Sequence, residues 1–92
     1  MLKPAYTKQF EKDLKLMLRR GKDEKKIRAV MSCLIRQKPL EPKHRDHKLI
    51  GNWKGRRDCH VEPDWVLIYQ IDEGAALIIF ERTGTHSDLF RR

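Results

Sequence analysis

Several familiar chemistries are missing from this sequence. Its two cysteines, Cys33 and Cys59, are too few for a disulfide framework and lack the paired spacing of a zinc or redox motif. Their apolar or strand-like flanks (MSCLI, RDCHV) suggest two buried thiols in a reducing compartment. No run approaches the roughly 18 apolar residues of a membrane-spanning helix. The opening MLKPAYTKQF has neither an apolar core nor a small-residue cleavage site, so no secretory signal is expected. There is no HExxH, no nucleophilic serine or cysteine motif, no internal repeat and no low-complexity segment. The expectation is a cytoplasmic protein without membrane contact, metal or cofactor. Its 92 residues should form one domain, 1–92, with a modest stability margin.

Positive charge, by contrast, is abundant and uneven. The formal net charge is +8, and residues 1–48 hold 15 Lys or Arg against 6 acids. The remainder holds 6 against 7, so the excess belongs to the first half. Such a field draws polyanions and weakens with salt. RNA, DNA, a ribosome or an acidic protein would suit it, and a solvated helical face with no partner would carry the same charge.

Met1–Tyr6 reads as a short strand, with Pro4 suited to an edge. Thr7 offers an N-cap to a helix whose Phe10, Leu14, Met17 and Leu18 form one apolar stripe, closed by Gly21. Asp23 caps a second helix carrying Ile27, Val30, Met31, Leu34 and Ile35, which should run until Pro39 stops it. Around these stripes lie Lys8, Lys12, Lys15, Arg19, Lys22, Lys25 and Lys26, either a solvated face or a surface for a polyanion. Residues 39–48 read as a loop. Then come strands over Arg56–Val61, Trp65–Ile71 and Ala75–Arg82, and a tail over Thr83–Phe90. The architecture is α+β: a short N-terminal strand, a basic helical hairpin and an antiparallel β-meander with a short C-terminal tail. The last two strands barely alternate, so both sheet faces need cover, and the hairpin can cover only one.

Between His44 and Asp64 the chain places His44, His47 and His60 among Asp46, Asp58 and several arginines; His86 follows in the tail. Period-2 alternation sets Arg56, Asp58 and His60 on one face of their strand. Asp64 at the hairpin connection, His47 on the preceding loop, and Arg82 and His86 beyond the third strand can join them. Histidines, carboxylates and arginines without a protein nucleophile suit RNA cleavage, in which the 2′-OH attacks. The protein then supplies a base, an acid for the leaving 5′-oxygen and cations for the phosphorane. Zinc held by His44, His47, Cys59 and His60 is the weaker reading, because Cys59 should face away from His60. His44 also reads as an exposed loop residue, Asp58 as an arginine's partner, and Trp53 and Trp65 as packing residues. Phe90 is either a docking anchor or a base-stacking ring.

The segments D-H-x-L-x-G-x-W-K-G, R-D-x-H-V-E-P-D-W and E-R-T-G-T-H-x-x-L-F resemble the YafQ-like toxins, the histidine-using branch of the RelE/ParE superfamily. The likeness extends over essentially the whole chain and implies a RelE-like fold. It implies an mRNA endonuclease of a type II toxin–antitoxin pair, cutting A-site codons on the ribosome. Implied partners are the message, ribosomal RNA and a DinJ-like antitoxin, with operator DNA reached only through the antitoxin complex. By motif, His47, His60, Asp64 and His86 are catalytic candidates, and Asp58 and Phe90 fall on matching positions. His86 would be the general acid and His47 or His60 the base. Asp64 would orient the base or share its role, and Arg82 would stabilise the phosphorane. Lys54, Arg56, Arg57 and Phe90 are candidates to hold the message, and the seven helical cations to face the ribosome. Two departures stand out: Arg56 where such toxins carry an aromatic, and Cys59 where alanine is usual. A ParE-like gyrase inhibitor and a basic nucleic-acid-binding module are the alternatives.

Overall fold

A computed structural model describes residues 1–90. The elements are β1 (Lys3–Tyr6), α1 (Lys8–Arg19), α2 (Glu24–Ile35), β2 (His47–Lys48), β3 (Arg57–Glu62), β4 (Trp65–Asp72), β5 (Leu77–Gly84) and α3 (His86–Phe90). Both expected N-caps form: the Thr7 hydroxyl accepts from the Phe10 amide, and Asp23 accepts from the Lys25 amide. The helices also end alike. Gly21 and Lys22 donate to Leu18 and Met17, while Gln37 and Lys38 donate to Leu34 and Cys33. This paired closure needs a left-handed residue, supplied by Gly21 (φ +93°) and, despite its Cβ, by Gln37 (φ 59°). Helix α2 therefore stops at Ile35, before Pro39 can act.

The sheet order is β1-β5-β4-β3-β2, antiparallel except for the β1–β5 pair. The helical hairpin packs Phe10, Met17, Ile27, Val30 and Leu34 onto Trp65, Leu67, Tyr69, Ile78 and Phe80. On the opposite face Val66 and Ile68 meet Leu89, with Leu49, Trp53 and Phe90 against them. Every residue of Trp65–Tyr69 is thus buried, although successive side chains point to opposite faces. That is why the sequence shows so little alternation.

Three expectations need correction. Strand β3 begins at Arg57, leaving Arg56 outside it, and β5 spans Leu77–Gly84 rather than residues 75–82. His47 lies on the edge strand β2, not on a loop. The tail is β5's last two residues followed by α3, and it supplies Leu89 and Phe90 to the second face. Among the described residues, no helix is long and apolar enough to cross a membrane.

Candidate active site

The sheet register assembles the site. His47 pairs with Asp58, Asp58 with Ile68, and Ile68 with Arg82, one row running across β2, β3, β4 and β5. In the next row His60 pairs with Val66 and Val66 with Gly84. Paired residues share a face, so Asp58 and His60 stand on the face of Val66 and Ile68, away from the helices. The Cys59 thiol points the other way into the helix-side core, and burial pushes its pKa up. Cys33 is only half buried.

α3 delivers His86 to this face. Thr85 and Asp88 form a reciprocal cap: the Thr85 hydroxyl accepts from the Asp88 amide, and the Asp88 carboxylate accepts from the Thr85 amide. Gly84 makes room for that turn, since a Cβ there would lie 3.0 Å from the Asp88 Cβ. Asp64, on the β3–β4 connection, takes the His86 backbone N–H at 2.9 Å and its ring Nδ1–H at 2.6 Å, both on Oδ1. These two bonds hold the Asp64 carboxyl below its ordinary pKa. They also assign the Nδ1 proton and leave Nε2 of His86 without a partner among the described residues.

The His60 ring lies 5.1 Å from the His86 ring, edge to face. Neither ring nitrogen of His60 has a hydrogen-bond partner among the described residues. Burial lowers the His60 pKa, and the Asp58 carboxylate only partly opposes this. Behind it, His44 donates from Nδ1 to the His60 carbonyl at 2.6 Å, beside the irregular register between His60 and Glu62. His44 is therefore half-buried and tethered, not a free loop residue.

Asp58 is buried between the histidines. Desolvation raises its pKa, while His47, His60 and His86 pull it down. Its partner is His47 and not an arginine: Nε2 of His47 sits 3.0 Å from Oδ1, outside good hydrogen-bond alignment. The other ring nitrogen of His47 donates to the Arg45 carbonyl at 2.7 Å, so one proton between Nε2 and Oδ1 would satisfy both atoms. Arg45 makes this contact from a left-handed backbone (φ 46°), a strained geometry for a residue with a Cβ.

The arginines expected at the site are already engaged. Arg82 grips buried Asp13 on α1 at 2.7 and 3.2 Å, and Arg56 binds Glu81 at 3.1 and 3.2 Å. Arg57, paired across from Tyr69, bonds Asp46 and the Tyr69 hydroxyl on the helix side. Lys54 is exposed. Phe90 lies 6.1 Å from the His86 ring and 6.4 Å from Trp53, while Trp65 is a core residue bonded to Thr83. On the hairpin, Glu62 of β3 binds Lys22 and Lys26 at 2.9 and 2.7 Å, whereas Lys8, Lys12, Lys15, Arg19 and Lys25 have no ion pair among the described residues. Sequence reasoning missed Asp13 and the Asp46–Tyr69 bond. The signal for Asp13 was its spacing, three residues after Phe10 and four before Met17, which sets it beside the apolar stripe of α1.

The arrangement is an open surface, with the His47 and His86 side chains 53% and 48% exposed. It offers one unbonded imidazole that burial keeps neutral, one imidazole anchored by a carboxylate, and a buried acid between histidines.

Comparison with known proteins supports the family. A profile of the bacterial toxin of type II toxin–antitoxin systems, YafQ, matches residues 2–91. The chain is 50% identical over 86 residues to the mRNA interferase toxin YafQ of Escherichia coli K12, covering 92% of this chain and 91% of that protein. The crystal structure of YafQ from E. coli BL21(DE3) superposes with a TM-score of 0.91 at 46% identity, covering 98% of this chain and 99% of that one. YafQ in the crystal structure of the E. coli DinJ–YafQ complex gives 0.89 at 47% identity, with the same coverage.

Proposed function

The chain belongs to the YafQ family of bacterial toxins of type II toxin–antitoxin systems, and on that premise we propose that it cleaves mRNA in the ribosomal A site by 2′-OH attack. The observation that carries this reading is the His60–His86 pair: adjacent rings on one open face, with His86 fixed through Nδ1 by Asp64. His60, neutral at pH 7 because burial depresses its pKa, takes the 2′-OH proton. His86 enters this step as the imidazolium: Asp64 holds its Nδ1 proton, and its second proton passes from Nε2 to the departing 5′-oxygen, leaving the neutral ring. His47 donates from one ring nitrogen to the Arg45 carbonyl and turns the other toward the Asp58 carboxylate, which favours the unbonded His60 over it as base; with Asp58 it forms the wall of the site. Arg82 steadies the phosphorane and Phe90 stacks on a base. The products are a 2′,3′-cyclic phosphate and a 5′-OH, and no residue acts as a covalent nucleophile.

The exposed helical cations suit ribosomal RNA, the E. coli relative's complex with DinJ supports an antitoxin of that kind, and the protein works in the cytoplasm. Ribosomes programmed with a defined A-site codon test the reading, with the same RNA free in solution as control. Cleavage at that codon, lost in His60→Ala and His86→Ala, is expected. A folded wild type inert across a broad codon set would overturn it and make gyrase inhibition the next assay.

A further inference from the structure

Arg82 starts in the same transverse row as His47 and Asp58, two strand spacings or about 10 Å from Asp58. Its side chain has three or more rotatable bonds and could sweep a wide volume. It does not, because of an element outside the histidine cluster. Strand β1 ends at Tyr6, paired with Phe80, so beyond Phe80 the edge of β5 that faces away from β4 has no neighbouring strand. The start of α1 fills that edge. The Thr7 hydroxyl donates to the Glu81 carbonyl at 2.8 Å, and the Asp13 carboxylate accepts the Thr83 amide at 3.2 Å. The same carboxylate takes Nε and Nη2 of Arg82 and a bond from Gln9, and it is only 7% exposed. Nη1 of Arg82 has no partner among the described residues. Arg82 lines a cavity of about 570 Å³ with Asn52, Trp53, Asp88, Leu89 and Phe90.

We infer that Asp13 is a positioning residue for RNA cleavage: from the basic helix it fixes the Arg82 guanidinium so that its remaining N–H groups meet the phosphate held beside Phe90. A buried carboxylate that merely closed the β5 edge would need only the Thr83 amide. The fork-to-fork grip on Arg82 adds a fixed direction, the feature a transition-state cation requires. The inference rests on the assignment of Arg82 as the phosphorane-stabilising cation.

A double-mutant cycle tests it. Single-turnover cleavage and ribosome affinity are measured for wild type, Asp13→Asn, Arg82→Ala and the double variant, with thermal melts of each. Asn at 13 keeps an acceptor for Thr83 but loses the second anionic oxygen for Arg82. Asp13→Asn should slow cleavage about tenfold to a hundredfold with ribosome affinity unchanged, and should add nothing in the Arg82→Ala background. Independent, multiplying losses would overturn the inference while leaving the Arg82 role intact. An Arg82→Ala variant as fast as wild type would remove the Arg82 role and the inference together, and an inert wild type would remove the nuclease reading itself. Should Asp13→Asn not fold, Asp13→Glu enters the same cycle: it keeps charge and both oxygens, but its longer stem displaces the guanidinium it grips, so a slower rate that disappears in the Arg82→Ala background is expected, and multiplying losses would again overturn the inference.

Discussion

Asp64 Oδ1 receives two N–H groups of His86, the backbone amide at 2.9 Å and ring Nδ1 at 2.6 Å. One oxygen thus fixes both the start of α3 and the tautomer of the ring it presents. Loss of the ring should cost more than loss of its tether. His86→Ala is expected to slow cleavage by about 10²–10⁴-fold and Asp64→Ala by a smaller factor, both without weakened ribosome binding. Equal rates for Asp64→Ala and wild type in single-turnover assays would show the tether to be idle.

Asp58 should trade stability for function. Its folded pKa is raised by burial, so the folded state holds the proton more tightly than the unfolded chain. That contribution is full below the ordinary aspartate pKa and is lost as pH rises through the folded value. At pH 7 the ionised group is therefore a net cost. Asp58→Asn should melt higher than wild type at pH 7, with the gain shrinking toward pH 4, and should cleave more slowly. A lower melting temperature at pH 7 would contradict the assignment.

His60 works in the opposite direction. Its folded pKa lies below the ordinary value, so the unfolded chain binds the extra proton more readily. Stability through this group is full above about pH 6.5 and is lost as pH falls through that range into the folded value. Cleavage should follow: the acid limb of the rate profile should lie below pH 6.5 and be absent from any residual rate of His60→Ala. A pH titration of the single-turnover rate reads it directly.

Much of this was legible in the sequence, for local reasons. Thr7 and Asp23 cap helices with bonds to residues two or three positions away, and Asp58 and His60 share a face because strands alternate. What escaped depends on distant partners. His47 and Lys48 carry no strand signal of their own and become β2 only by pairing with Asp58 and Arg57. Asp13 looks like one more charged position on a solvated helix, and its burial follows from the place where β1 stops short of β5's end. Gln37 closes α2 in a conformation for which glycine is the usual signal. The arginines expected to be free are held by Asp13, Glu81 and Asp46, partners that no spacing rule connects.

Gly84 offers a test of how closely α3 must approach the sheet. A methyl group there would press on Asp88 at 3.0 Å, disturbing the Thr85–Asp88 cap and moving His86. Gly84→Ala should lose about 1–3 kcal/mol of stability in denaturant titrations and a larger share of activity than that alone explains. Wild-type stability and rate would mean that the turn tolerates the displacement.

The central claim is that the message supplies its own nucleophile while His60 and His86 move the protons. Its most direct test is an A-site codon carrying a 2′-O-methyl group at the scissile nucleotide, compared on ribosomes with the unmodified message. The account predicts no cleavage of the modified codon and a 2′,3′-cyclic phosphate from the native one. Cleavage of the methylated codon at the native rate would show that water or a protein group attacks instead, and the proton-transfer roles given to the two histidines would fall.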